Sequence, residues 1–355
     1  MHKLTLAGLG LIAGAVLLDG SAWAGGAPVA PSCAVGVYTN ADEFFFDSDG
    51  NGIFGGIATD IRFRLAPALG VGTPLVGDFV GNGSQAVGKF IPATGKFALD
   101  LNENDSWDGN AGGDRVEFFV AAFTGGVGFL GEWNQLMNDS VGRYVNNEFF
   151  LDDNGNGIWD GIPSDARFTF IPSLTVPDTQ IVLGDWTGSG ATDVAKYDTT
   201  TGRFFGDLNG NRVWDGNAGG DINSPFAAAF ATSNGGGVIV VGDWDGDGDD
   251  NIALYVPSAD LIFVDVNGNF VWDGVGGGDA QFRLAPALAG TNTVNACNFN
   301  DSVAGDELNK YNFETTQNAT DVNGDFLFEL LANDTVGTFV LPLQASVLNP
   351  LVREP

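Results

Sequence analysis

The sequence predicts an all-β chain folded as a β-propeller of about six four-stranded blades. Three observations carry that expectation. A doubled acidic signature returns about every 55 residues, short β-prone apolar runs alternate with Gly-rich turns, and no stretch sustains a helical period. A period of this length, built from short strands, fits an array of small sheets in which each repeat buries its apolar faces against its neighbours.

In chain order, residues 1–24 read as a secretory leader. Lys3 precedes an apolar run over 4–18, and Ala22, Trp23 and Ala24 place small residues around a cleavage point. A membrane anchor is the alternative, but it needs roughly 20 apolar residues, and this run is shorter and interrupted by Gly. Residues 25–355 then form one repeat domain, exported and without a further membrane segment.

The clearest repeat starts at Val238. An apolar strand over 238–241 ends at Gly242-Asp243-Trp244, an acidic turn follows, and 252–255 returns. Pro257 to Asp260 makes a second turn and 261–264 a third strand, with a fourth over 282–284. Copies with the same order occupy 181–215 and 75–108, and a weaker one begins at Gly131. The first copy starts midway, at 34–38, while the last continues through 336–341. A C-terminal strand is therefore expected to complete the first blade and remove the open edges of an unclosed ring. Seven blades is the alternative if the tail adds a sheet of its own.

Net charge is −31, with 45 acids against 14 lysines and arginines. Nucleic acid and anionic bilayers are thereby disfavoured as partners, because both demand basic surface. The same charge strains a compact state unless cations neutralise part of it. Cys33 and Cys297 are the only cysteines, so an oxidising compartment permits one disulfide between the first repeat and the last. Such a closure contributes up to roughly 5 kcal/mol in a chain-entropy account; two buried free thiols are the alternative. His2 is the only histidine and leaves with the leader, which excludes His-dependent triads and His-ligated zinc.

The acidic signature has two halves. An inner one, Gly-Asp-Trp or Gly-Asp-Phe with a Gly-rich acidic turn, occurs at Asp78, Asp185 and Asp243, as a Glu variant at Glu132, and in degenerate form at Asn298. At Asp243 the acids Asp243, Asp245 and Asp247 stand at positions one, three and five, with Asn251 at nine. Gly246 and Gly248 permit the tight backbone. Alternate residues of such a loop turn oxygens inward, and calcium takes six to eight of them. A solvated acidic turn is the rival. At Asp78, Asp185 and Glu132 the later ligands have decayed, so a simple turn is the expectation there.

The outer half reads Asp-x-Asn-Gly-Asn, in most copies followed by Trp-Asp-Gly. It starts at Asp47, Asp100, Asp152, Asp207, Asp265 and Asp321, at intervals of 53, 52, 55, 58 and 56. Its ligand candidates are Asp100, Asn102, Asn104 and Asp108; Asp152, Asn154, Asn156 and Asp160; Asp207, Asn209, Asn211 and Asp215; and Asp265, Asn267, Asn269 and Asp273. The end copies keep Asp47, Asp49 and Asn51, and Asp321, Asn323 and Asp325. A further Asp follows at Asp60, Asp114, Asp165, Asp221 and Asp279. Asn in place of Asp weakens a calcium site, and an Asx turn capping its own backbone is an equal reading for each loop. An EF-hand is excluded, because its twelfth position should be Glu and here holds Ala58, Pro163 or Gly276. Trp133, Trp186, Trp244, Trp159, Trp214 and Trp272 recur at equivalent places, which favours packing between blades over a sugar platform.

The run Val241-Gly242-Asp243-Trp244-Asp245-Gly246-Asp247-Gly248, followed by Ile252-Ala253-Leu254-Tyr255, resembles the FG-GAP and VCBS repeats of integrin-like propellers. Weaker copies extend the resemblance over 33–330. It implies a propeller whose blade turns hold calcium and which serves adhesion, ligand binding or scaffolding. The Trp-Asp-Gly turn is an addition that the family pattern does not require. From these readings the expected function is a secreted, calcium-binding, non-enzymatic module for an extracellular protein or glycan. The alternative is a calcium-dependent polysaccharide hydrolase or lyase, which would draw an acid/base pair from the carboxylates and a base from Lys89, Lys196, Lys310 or an Arg.

Overall fold

The computed structural model describes residues 34–39, 41–46, 54, 56–58, 60–120, 122–135, 137–171, 173–174, 179–284, 292–297, 306–312, 317–320, 335–338 and 347–353. The expected leader, Cys33, Asn298 and the expected ligands Asp47, Asp49, Asn51, Asp321, Asn323 and Asp325 lie outside them, and only the backbone of Cys297 is described. The Cys33–Cys297 pairing therefore also lies outside the described residues.

The chain forms a β-propeller of four-stranded antiparallel sheets, and six such sheets are described. Sheet I joins Val347–Arg353 to Ala34–Thr39, Phe44–Phe46 and Ile61–Phe63. Sheet II comprises Thr73–Gly77, Ala86–Ile91, Lys96–Leu99 and Arg115–Glu117. Val127–Gly131, Ser140–Val145, Glu148–Leu151 and Ala166–Phe168 make sheet III. Sheet IV holds Thr179–Gly184, Asp193–Asp198, Arg203–Gly206 and Ile222–Ser224. Val238–Gly242, Asn251–Val256, Leu261–Val264 and Ala280–Phe282 make sheet V. Asn292–Cys297, Glu307–Asn312, Gln317–Thr320 and Thr335–Thr338 make sheet VI. The first strands of sheets I and II, II and III, IV and V, V and VI, and VI and I touch one another. In sheet I, Ala34 pairs with Arg353 and Tyr38 with Asn349, so the two ends of the chain share one sheet.

Each core lies between two successive sheets, which explains the apolar pattern. The second strands Ala86–Ile91, Ser140–Val145 and Asn251–Val256 are buried at every residue because both faces are covered. Phe90, Phe97 and Leu130 pack between sheets II and III, and Trp186, Phe204, Ile239 and Leu254 between IV and V. Burying one such aromatic or aliphatic side chain contributes roughly 1.5–3 kcal/mol. The tryptophans are part of this packing. Trp159 meets Phe119 and Phe150 edge-on, Trp214 does so with Phe170 and Phe205, and Trp272 with Phe226 and Phe263. In each case the ring wedges the outer loop of one sheet against the linker leaving the sheet before it. Trp133, Trp186 and Trp244 are buried beside the inner loops.

Two features depart from the sequence-based expectations. A six-residue helix, α1 (Ala228–Ser233), lies in the linker between sheets IV and V; it is too short to display a period. The second feature is a set of cations inside the protein. Lys89, Arg143, Lys196 and Lys310 stand at the same register of the second strands of sheets II, III, IV and VI and are fully buried. Each reaches back to the preceding sheet. Lys89 Nζ donates to Asp42 at 2.7 and 2.9 Å and to the Gly70 carbonyl at 2.8 Å. Arg143 donates to the carbonyls of Phe119, Val120, Phe123 and Gly125 at 3.3, 3.1, 2.9 and 2.7 Å. Lys196 takes Tyr144 Oη, Asn147 Oδ1 and the carbonyls of Ile171 and Leu174, and Lys310 takes Asp260 and the Leu284 carbonyl. The linkers start in the left-handed region at Ala66, Val120 and Ile171, which turns carbonyls away from strand pairing. The cations satisfy those carbonyls. Where the linker contains α1 instead, its carbonyls are used locally by Thr232, Asn234 and Gly236, and the register position holds Leu254. The lysines proposed as lyase bases are thus interior clamps with their donors engaged. Among the described residues no helix is long and apolar enough to cross a membrane.

Candidate cation-binding face

Because neighbouring strands run antiparallel, the first-to-second and third-to-fourth connections of every sheet emerge on the same face. The inner and outer loops are these two connections, so both acidic families share that face. They touch there: Asn82 donates to both oxygens of Glu103 at 3.0 and 2.9 Å, and Arg212 reaches Asp153 at 2.6 Å and the Trp133 carbonyl at 3.0 Å.

The inner loops are built alike whether or not their later ligands survive. The first carboxylate folds the turn by accepting its own backbone amides. Asp78 takes those of Gly81 at 2.6 Å and Gly83 at 2.8 Å, Asp185 those of Ser189 at 2.9 Å and Gly190 at 2.5 Å, and Asp243 those of Gly246 at 2.7 Å and Gly248 at 3.0 Å. The backbone of that same residue is tied to the next sheet. Asp139 accepts the Asp78 amide at 2.8 Å while its own amide donates to the Asp78 carbonyl at 2.6 Å, and Asp250 binds Asp185 in the same way. The Asx-turn role is therefore real at all three loops.

Additional oxygens distinguish the Asp243 loop. Among the described residues, one group of three acids brings a carboxylate oxygen each within 4.8 Å: Asp243, Asp245 and Asp247. Burial, with the neighbouring Asp247 and Asp243 charges, pushes the Asp245 carboxyl up. Asp249 rises to about 7 through burial and through a hydrogen bond shared with Asp247, whose own carboxyl is lowered by it. Asn251 is 1% exposed, and its Oδ1 has no hydrogen-bond partner. Crowded carboxylates and an orphaned amide oxygen fit a hard cation with oxygen ligands. The equivalent of Asn251 in sheet IV is Asp193. Burial, then the charges of Asp207 and Asp185, push it up to about 8 despite the opposing Arg212.

The four outer loops described at side-chain level share one design. The first Asp is buried and accepts two loop amides: Asp152 takes those of Asn156 at 3.2 Å and Gly157 at 2.6 Å, and Asp265 those of Asn269 at 3.2 Å and Phe270 at 2.6 Å. Asp100 and Asp207 repeat the arrangement. Burial is the main reason their carboxyls rise, to about 6 for Asp100 and Asp152 and about 7 for Asp265. The Asn at position five donates Nδ2 to the Asp at position nine: Asn104 to Asp108, Asn156 to Asp160 and Asn211 to Asp215 at 2.7 Å, and Asn269 to Asp273 at 2.8 Å. Asn102 and Asn154 reach the same ninth carboxylates at 3.4 and 3.2 Å. Asn209 and Asn267 instead bind the carbonyls of Gly219 and Gly277. The ninth amide donates to the last acid of the loop, at 2.5 Å for Asp108 to Asp114 and 2.6 Å for Asp160 to Asp165. Asp215 and Asp221 match the first pair, Asp273 and Asp279 the second. The structure thus places the expected outer residues of sheets II–V in one hydrogen-bonded turn each, joined by Asp114, Asp165, Asp221 and Asp279, but does not bring three of their carboxylate oxygens within 4.8 Å as in the Asp243 loop.

No protein-family model matches this chain, and no curated protein does. Among solved structures the chain is similar to a lectin from Agrocybe aegerita, described as recognising non-reducing terminal N-acetylglucosamine. Identity is 11% and the TM-score 0.46, over 87% of this chain and 90% of that one. At that distance the likeness carries no argument about ligand or activity.

Proposed function

We propose that this chain is an exported, calcium-loaded β-propeller acting as a binding or adhesion module for an extracellular protein or glycan. On this reading its sheets are the six blades of a ring closed by the C-terminal strand. One observation carries the calcium assignment: Asp243, Asp245 and Asp247 converge within 4.8 Å, in a turn that leads into Asn251, whose buried Oδ1 has no partner. Calcium would be held there by these side chains with carbonyl and water oxygens, and it would relieve the mutual repulsion of Asp243, Asp245, Asp247 and Asp249. A face crowded with fixed acids and held by rigid strands suits recognition through bound cations. The resemblance to FG-GAP repeats points the same way. The lyase reading loses its lysine bases, because Lys89, Lys196 and Lys310 are enclosed between sheets.

Calorimetric melting of the full chain with calcium, with magnesium and with chelator tests the calcium assignment. Saturation at 100 times the dissociation constant adds about 2.7 kcal/mol per site, and magnesium should add far less. An unchanged melting temperature after chelation would overturn it. A glycan array and a pull-down with the calcium-loaded protein then test the binding role, against which unsaturated products from an acidic polysaccharide would count.

A further inference from the structure

The outer loops hold a feature that backbone capping does not explain. Asp114, Asp165, Asp221 and Asp279 are 2–4% exposed, and each uses Oδ2 to accept the ninth-position amide. In all four the other oxygen, Oδ1, is buried without a hydrogen-bond partner. A buried orphan oxygen is costly, about 1–3 kcal/mol each and more when charged, so four at the same place in four loops indicate a missing positive partner. Three of these carboxylates also face two others, and Asp114 faces one. The charge of Asp165 acts on Asp152 and that of Asp160 on Asp165, and the same pairs recur as Asp221 with Asp207 and Asp215, and Asp279 with Asp265 and Asp273. Asp114 likewise acts on Asp100.

We propose that the outer loops of sheets II–V each bind one hard divalent cation of the calcium class, with Asp114, Asp165, Asp221 and Asp279 as the ligand that completes each site. The first, ninth and last carboxylates do not converge within 4.8 Å as they stand, so the ion must draw their three charged oxygens together, with backbone carbonyls and water supplying others. The Asn residues at positions three and five accept loop amides through Oδ1 and point Nδ2 at the ninth carboxylate or a loop carbonyl, so they brace the turn and leave the carboxylates as the charged ligands. The resemblance to known repeats marks the inner loops, so this places most of the cation capacity elsewhere. Sheets II and IV, whose inner loops have decayed, keep complete outer loops. The inference rests on the reading of this face as cation-loaded but not on the Asp243 loop.

Calcium titrated calorimetrically into the chelator-treated full chain tests it. Asp165→Asn and Asp221→Asn keep an acceptor for the ninth amide and remove the second charged oxygen. Each should delete one site or weaken it roughly tenfold or more, while Asp245→Asn leaves the outer sites intact. The proposal is overturned if both outer variants bind calcium as the parent does, or if Asp245→Asn abolishes all binding. An unaffected Asp245→Asn with weakened outer variants would sink only the inner-loop assignment. Should the Asn variants not fold, terbium luminescence offers a second readout. Trp107, Trp159, Trp214 and Trp272 directly precede the ninth ligand, so Trp159→Phe and Trp214→Phe should each remove part of the sensitised emission. Emission unchanged in both would also overturn the proposal.

Discussion

Replacing Arg143 with Met tests the physical account of how one sheet grips the next. The guanidinium is fully buried and donates four hydrogen bonds to carbonyls of the preceding linker. A hydrogen bond involving a charged group contributes about 1.5–3 kcal/mol. Met carries no charge to desolvate, which offsets several kcal/mol, and it fills most of the space. With four carbonyls left unpartnered at about 1–3 kcal/mol each, Arg143→Met should be about 3–5 kcal/mol less stable. Urea unfolding followed by tryptophan fluorescence measures it. The register position in sheet V supplies the control: Leu254→Lys places a cation against α1, whose carbonyls are already used, and should also destabilise. An Arg143→Met variant within about 0.5 kcal/mol of the parent, the range of neutral surface changes, would refute the idea that these cations hold the linkers.

Other outcomes follow from the same geometry. Glu117 is buried beside the Asp152 loop, and burial, despite its ion pair with Arg115, pushes its carboxyl up to about 7. The folded state therefore favours the protonated form. The stability this confers is complete below the ordinary Glu range and is lost as pH rises through about 7, so Glu117→Gln should match the parent near pH 4 and exceed its melting temperature at pH 8. The gain is at most about 3 kcal/mol, and a difference independent of pH would contradict the assignment. Trp214→Ala removes a ring that touches both Phe170 and Phe205 and should cost about 3 kcal/mol in thermal unfolding. Asp139→Ala leaves the Asp78 amide without its carboxylate and should cost about 1–3 kcal/mol, with hydrogen exchange at residue 78 rising selectively. Deleting 347–353 uncovers the edge of Ala34–Thr39 and should turn a monodisperse protein into an associating one on gel filtration.

Strand positions were legible in the sequence wherever β-branched and aromatic residues ran unbroken between glycine turns. The strands Lys96–Leu99 and Leu261–Val264 fall where that pattern places them, whereas the fourth strand of sheet V lies two residues earlier, at Ala280–Phe282. That strand is short and half exposed, so composition constrains it weakly. Lys89 and Lys196 are visible in the sequence, but a cation in an apolar strand signals a reactive base as readily as a clamp. The carbonyls that decide between the two come from a different repeat. At the acidic face the alternating loops could be read directly. The last acid of each outer loop carries no fixed spacing: Asp165 follows its first acid by 13 residues and Asp114, Asp221 and Asp279 follow theirs by 14, which no single motif captures.

Sheet I draws its strands from both extremities of the chain, with Ala34 beside Arg353. During synthesis that sheet must wait for residue 353 to be delivered, and until then Ala34–Thr39 lacks its partner. The same adjacency leaves a gap that a tight turn would bridge, so the chain could be cut at any linker and rejoined there with every strand still meeting its native neighbours.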